Sequence, residues 1–277
     1  MKKEQTPLGI IAGSGALPRA LIATCQAQHR PVFVLALSGQ AAPDILNDVP
    51  GAFIRLGSVG RAIRLFRRQG IRDITFIGGV RRPSVAEIRP DWKAFTMLVR
   101  VGFRLLGDDN LLRIILSEAE KLGFHVWGID ELLPKLLATE GVYGQIIPTK
   151  RDYADIERGI EVAKALGRVD VGQGTIVQQG LVLSVEGIEG TAKLIERTAS
   201  LKRKGGGGVL VKVAKPQQDR RIDLPTIGPK TVQSIADSGL KGIAVESGSA
   251  LLVEVEQMVA LADKLGIFIV GVSCRKH

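Results

Sequence analysis

Leu8-Gly9-Ile10-Ile11-Ala12-Gly13-Ser14-Gly15-Ala16-Leu17-Pro18 is the stretch whose reading decides the fold. It begins as a short apolar run, turns on Gly13-Ser14-Gly15, and passes into a helical pattern that reaches about Gln28. A buried strand that ends in small residues and feeds a helix is the first half of a β-α-β unit. The same rhythm continues downstream. Val32-Phe33-Val34-Leu35-Ala36-Leu37 reads as a second strand and Ala52 to Leu56 as a third. A basic helix over Val59 to Gln69 and a fourth strand, Ile74-Thr75-Phe76-Ile77, follow. Alternation of this kind predicts a parallel sheet with helices on both faces. Asp91 to Leu122 then turns helical, and Phe124-His125-Val126-Trp127 returns to the sheet.

The stretch from Leu133 to Pro148 has no strong period and is punctuated by Pro134, Gly141, Gly144 and Pro148. It divides the chain into an N-terminal Rossmann-like domain (1–133), a linker (134–148) and a C-terminal mixed α/β domain (149–277). In the second half, Thr175-Ile176-Val177 and Leu181 to Val185 pair as a hairpin about Gln179-Gly180. Helices over about Thr191–Leu201, Pro229–Ser238 and Val255–Leu265 are interleaved with strands at Val209–Val213, Gly242–Val245 and Ile267–Val270. This order does not repeat the first half.

Composition narrows the function. The chain has 277 residues, of which 45% are hydrophobic and 24% charged, as in an ordinary globular protein. The net charge of +10 suits nucleic acid, an anionic membrane or an acidic small substrate. An aromatic content of 4% argues against single-stranded nucleic acid, which needs stacking platforms. Part of the excess charge is local, because Arg61, Arg64, Arg67, Arg68 and Arg72 crowd one short stretch, which reads either as a solvated helix face or as a functional basic patch. Cys25 and Cys274 are the whole cysteine complement, which excludes a disulfide framework and fits a reducing cytoplasm. Three histidines, His29, His125 and His277, are too few for a His-rich di-metal phosphoesterase. No G-x-S-x-G elbow is present, no apolar stretch is long enough to cross a bilayer, and the N-terminus lacks a signal-peptide core.

Four segments carry candidate chemistry. Gly13-Ser14-Gly15 follows the first strand, where backbone N–H groups of doubly wound sheets meet phosphate. Pro18 breaks the full dinucleotide pattern there, and the alternative is a tight structural turn. Gly78-Gly79-Val80-Arg81-Arg82-Pro83 follows another strand; Gly79, Arg81 and Arg82 are candidate diphosphate contacts, against a basic surface loop. Lys204-Gly205-Gly206-Gly207-Gly208 suits a lid, an anion-binding loop or a flexible connection. Densest is Lys212 to Pro229, with four cations, two carboxylates and three prolines. Lys212, Lys215, Arg220, Arg221 and Thr226 are the substrate-binding candidates there, since cations beside a diphosphate stabilise a leaving phosphate. Asp219 and Asp223, with Glu186 from the hairpin, are the candidate Mg²⁺ ligands, because Mg²⁺ takes one or two carboxylates plus phosphate oxygens. Such a carboxylate could instead orient the attacking water, and the structural alternative is Asp223 pairing with Arg220 or Arg221.

Taken in order, LGIIAGSGALP (8–18), FIGGVRRP (76–83), GDDNLL (107–112), GLVLSVEGIEGT (180–191), GGVLVKVAKPQQDRRIDLPTIGP (207–229), GIAVESG (242–248) and GIFIVGV (266–272) resemble the LpxI-type UDP-2,3-diacylglucosamine pyrophosphatases over nearly the whole chain. The resemblance implies a two-domain, Mg²⁺-using hydrolase with its substrate held between the domains. It implies release of UMP and 2,3-diacylglucosamine 1-phosphate (lipid X) after water attacks the phosphorus on the sugar side. It places the family's essential aspartate on Asp223, and it implies a homodimer. Gln217 departs from the family pattern, where a glycine is common. The acyl chains of such a substrate need apolar surface, for which Trp92, Phe95, Met97, Leu98, Val99, Phe103 and Leu105 are candidates, with ordinary core as the alternative. A cationic chain handling a lipid also leads to the expectation of peripheral contact with the cytoplasmic face of the inner membrane. A non-catalytic sugar-nucleotide or lipid-binding protein is the competing reading, and no nucleic acid is expected as a partner.

Overall fold

The structure is a computed structural model, and it describes residues 6–80, 91, 92, 94, 96, 108–217, 219–221 and 224–274, with only the backbone at 108–113. It divides into two compact units. The first comprises Met1–Pro134 with Asp219–Asp223, and the second Lys135–Gln218 with Leu224–His277.

The first unit is the parallel sheet expected from the sequence. Its elements are β1 (Leu8–Ala12), α1 (Leu17–Ala27), β2 (Val32–Leu37), β3 (Gly51–Ile54), α2 (Val59–Arg68), β4 (Asp73–Ile77), α3 (Asp108–Lys121), β5 (His125–Val126) and α4 (Ile129–Leu132). The strand order is β3-β2-β1-β4-β5, all parallel, with Leu8 beside both Val32 and Asp73. β1 and β2 are apolar almost without interruption because such strands are covered on both faces. On one face Ile63 and Phe66 of α2, Leu116 of α3, Leu35 and Phe124 form a continuous core. The Phe66 ring meets Phe33 and Phe124 edge-on at centroid separations of 6.5 and 6.1 Å. Ile63 and Phe66 lie one helical turn apart on the buried side of α2, which leaves Arg61, Arg64, Arg67 and Arg68 exposed.

The second unit is a mixed sheet between helices. It adds β6 (Gly141–Tyr143), α5 (Lys150–Arg168), β7 (Gly174–Gln178), β8 (Leu181–Val185), α6 (Gly190–Thr198), β9 (Val209–Lys212), β10 (Thr226–Ile227), α7 (Pro229–Asp237), β11 (Gly242–Glu246), β12 (Leu251–Leu252), α8 (Val255–Leu265) and β13 (Phe268–Val272). β6 falls in the stretch read as linker, and it pairs antiparallel with β13. The sheet order is β6-β13-β11-β9-β7-β8, with β9, β11 and β13 parallel and β7 of the β7–β8 hairpin antiparallel to β9; β10 and β12 form a separate parallel pair.

The two-residue period of a strand assigns each side chain of this sheet to one layer. Val209, Val211, Ala244, Phe268 and Val270 pack in one cluster with Ile156 and Ala163 of α5. Leu210, Ile243, Val245 and Ile269 enter the other, with Leu194, Val232 and Met258. The hairpin turns where expected, with φ of +56° at Gln179 and +76° at Gly180, the double positive φ of a type I′ turn. Among the described residues no helix is long and apolar enough to cross a membrane.

Candidate functional site

In the first unit the strand order reverses between β1 and β4, and a doubly wound sheet opens its ligand crevice beyond such a reversal. Two motifs 65 residues apart in sequence meet there. The Ser14 N–H donates to the Gly79 carbonyl at 2.8 Å, the Gly79 N–H returns to the Ser14 carbonyl at 2.9 Å, and the Ser14 hydroxyl adds a bond to the Gly79 carbonyl at 2.8 Å. Glycine is required at the contact. A Cβ on Gly13 would lie 2.4 Å from the Gly79 carbonyl oxygen, and one on Gly78 (φ +95°) would lie 2.6 Å from that of Ser14. The Gly13 N–H is also committed, to the Ile77 carbonyl at 2.8 Å.

Gly13, Ser14 and Gly79 therefore spend their amides on each other's turns. Gly15, Ala16 and Leu17 follow at the start of α1, where among the described residues no side chain caps the helix. A helix of this length concentrates partial positive charge there. Gly15 stands at φ +97° with open space where a side chain would project. Arg81, Arg82 and most of the apolar segment from Trp92 to Leu105 lie outside the described residues, although Trp92 itself is exposed.

Asp219, Arg220 and Arg221 also belong to the first unit. The Arg221 guanidinium donates to both carboxylate oxygens of Asp219, at 3.0 and 2.8 Å, and to Glu120 at 2.6 Å; these two carboxylates push its pKa still higher. Arg220 pairs with Asp130 at 3.2 Å. The structural alternative for this loop, Asp223 pairing with Arg220 or Arg221, falls on a residue outside the described ones.

The second unit gathers its charged groups at the carboxyl edge of its sheet. Lys212 ends β9 and is only 4% exposed. Its ammonium donates to the Thr191 hydroxyl at 2.9 Å and to the Thr226 carbonyl at 3.4 Å. The Thr191 hydroxyl donates to Glu186 Oε1 at 2.5 Å, and Glu186 Oε2 accepts the Gln173 N–H at 3.3 Å. Glu246, at the end of β11, accepts the Ala214 N–H at 2.9 Å and Lys164 at 3.4 Å. Lys215 is paired with Asp170 at 2.5 Å. The Thr226 hydroxyl donates to the Leu224 carbonyl at 3.0 Å.

The glycine run sits at the opposite end of β9 from Lys212. All four glycines, Gly205 to Gly208, have positive φ, and the fully buried Gln178 side chain donates to the Arg203 and Gly206 carbonyls at 3.1 and 2.7 Å. The loop is a connection pinned by these bonds at the amino edge of the sheet.

The expected Mg²⁺ ligands can be tested against their surroundings. Both oxygens of Asp219 are held by Arg221, and both oxygens of Glu186 accept hydrogen bonds from their own unit. Among the described residues no three His, Cys, Asp or Glu side chains converge as a cation site. Asp219 and Glu186 each accept hydrogen bonds from protein donors, and a carboxylate keeps further lone pairs beyond these.

A family model for the LpxI N-terminal domain matches residues 7–136, and one for the LpxI C-terminal domain matches residues 139–270. The chain belongs to the LpxI family. The UDP-2,3-diacylglucosamine pyrophosphatase LpxI of Caulobacter vibrioides is 40% identical to it over 273 residues, covering 96% of this chain and 97% of that protein. Two solved structures show faint likeness to the chain. The N5-carboxyaminoimidazole synthase of Aspergillus clavatus aligns with 72% of this chain and 44% of its own at 14% identity and a TM-score of 0.26. The UDP-glucose 4-epimerase of Thermus thermophilus aligns over 94% and 84% at 13% identity and a TM-score of 0.32. Likenesses this weak carry no inference.

The LpxI motifs account for most of the groups described above, but Thr191, Gln173 and Asp170 escaped a reading by residue type. A threonine at the second position of a helix looks like any helix-start residue. Only the fold brings it between Glu186 and Lys212.

Proposed function

We propose that this LpxI-family chain hydrolyses the diphosphate of UDP-2,3-diacylglucosamine, releasing UMP and 2,3-diacylglucosamine 1-phosphate. The observation that carries the reading is the 40% identity, end to end, with a protein of that named activity. Two features of the fold support it. The α1 N-terminus in the first unit offers uncapped N–H groups to a phosphate. The second unit holds the Lys212 ammonium at the carboxyl edge of its sheet, where a phosphate oxygen is a natural acceptor.

In the proposed reaction water attacks the sugar-side phosphorus. A new P–O bond forms there, the bond to the bridging oxygen breaks, and that oxygen departs on UMP. Asp223 is the carboxylate assigned to this step, and Lys212, Arg81 and Arg82 offset the charge on the diphosphate. Mg²⁺, when bound with Asp223 and substrate oxygens, would neutralise the same charge. A cytoplasmic location, a homodimer and peripheral contact between a chain of net charge +10 and the anionic inner membrane belong to the same proposal.

The test is incubation of the purified protein with UDP-2,3-diacylglucosamine, with Mg²⁺ and with chelator, and identification of the products. UMP and the 1-phosphate are expected from the wild type. Asp223→Ala is expected to bind substrate and lose most turnover. Binding by the wild type without release of UMP would replace the enzyme with a sugar-nucleotide or lipid-binding protein.

A further inference from the structure

We propose that Thr191 is a positioning residue that sets the Lys212 ammonium for the diphosphate, with Glu186 as its anchor. The inference deepens the activity proposed above and rests on it.

Burying an ammonium without a compensating charge is costly. Lys212 is buried, yet among the described residues no carboxylate touches it directly. A carboxylate, Glu186, is linked to it through the Thr191 hydroxyl.

The chemistry of the three groups leaves one polarity. An ammonium only donates and a carboxylate only accepts, while a hydroxyl does one of each along such a chain. Thr191 therefore spends its single proton on Glu186 and receives Lys212 on a lone pair. Glu186 is in turn fixed by the Gln173 N–H and by its own N–H to the Gly174 carbonyl at 2.8 Å. With Thr191 and Thr226 taking two of the three ammonium protons, the third finds no acceptor among the described residues. A donor held in this way needs no reorganisation when phosphate charge arrives.

The experiment is a kinetic double-mutant cycle in the full-length protein, with UMP release as the readout. Thr191→Val keeps the shape and removes the hydroxyl. It is expected to lower kcat/KM roughly ten- to hundredfold, the kinetic equivalent of a hydrogen bond to a charged group. Thr191→Ser is expected to retain most of the activity. In a Lys212→Met background, Thr191→Val is expected to cost nothing further, because its effect runs through the ammonium. A loss of equal size in both backgrounds, or Thr191→Ser as impaired as Thr191→Val, would overturn the assignment. Thermal melting reports whether each variant is folded. Should Thr191→Val not fold, Glu186→Gln goes through the same cycle with the same expectation. A wild type that releases no UMP removes the proposed activity itself; an active wild type with undisturbed Thr191→Val removes only this assignment.

Discussion

Replacing Gly13 by alanine tests whether the two turns of the first unit really close on each other. The new methyl would stand 2.4 Å from the Gly79 carbonyl oxygen and 3.1 Å from the Gly78 carbonyl carbon. Both obstacles are backbone, so neither can swing aside like a side chain. Relief requires the β1 and β4 turns to separate, which lengthens the paired Ser14–Gly79 bonds at 2.8 and 2.9 Å. Overpacking of this kind costs about 1–3 kcal/mol, and each weakened hydrogen bond adds about 1 kcal/mol. A loss of about 3 kcal/mol corresponds to a fall in Tm of roughly 6–12 °C for a domain of this order of size. Gly15→Ala is the control. Its Cβ meets nothing within 4 Å, so only the backbone strain of a positive φ remains, about 1–2 kcal/mol. Circular dichroism melts of wild type and both variants give the ranking directly, and kinetics with UDP-2,3-diacylglucosamine should show a higher KM for Gly13→Ala as the first turn of α1 shifts. A Gly13→Ala protein that melts with the wild type, or above Gly15→Ala, would refute the close approach.

Two further outcomes follow from buried carboxylates in the second unit. Asp152 completes the capping box of α5 opposite the N-cap Thr149: its carboxylate accepts the Thr149 N–H at 2.7 Å and pairs with Lys241 at 3.1 Å. Burial opposes ionisation there, but the Thr149 and Lys241 hydrogen bonds prevail and hold its pKa below the usual value. A depressed folded-state pKa stabilises above the unfolded value of about 3.9, and that contribution disappears as pH falls through the folded value. Asp152→Asn should therefore cost about 1 kcal/mol in urea unfolding at pH 7, and the gap to wild type should close below about pH 4. A gap that persists in acid would contradict this. Asp155, also buried, accepts the turn N–H groups of Gln179 at 2.9 Å and Gly180 at 2.6 Å. Asp155→Ala should cost about 3 kcal/mol and speed hydrogen exchange at those two amides, with Asp155→Asn intermediate; unchanged exchange would show that the turn holds without it.

The sequence by itself determined the elements whose signals are local. The apolar run of β1, its glycine turn and the helix after it lie within a few residues of one another, so periodicity and turn chemistry suffice to place them. The hairpin about Gln179-Gly180 and the helix opening at Pro229 are legible for the same reason. The ordered LpxI motifs carried the family, because their combined length is specific where each piece is not. What only the tertiary structure decided are the meetings between distant residues. Ser14 finds Gly79 because β1 and β4 are neighbours in the sheet. Thr191 joins Glu186 to Lys212 because β8, α6 and β9 bring them to one edge, and the glycine run proves to be a pinned connection because it enters β9 from the other. Local pattern records which face a residue buries, whereas the partner it meets there is set by strand order and register, which no local period encodes.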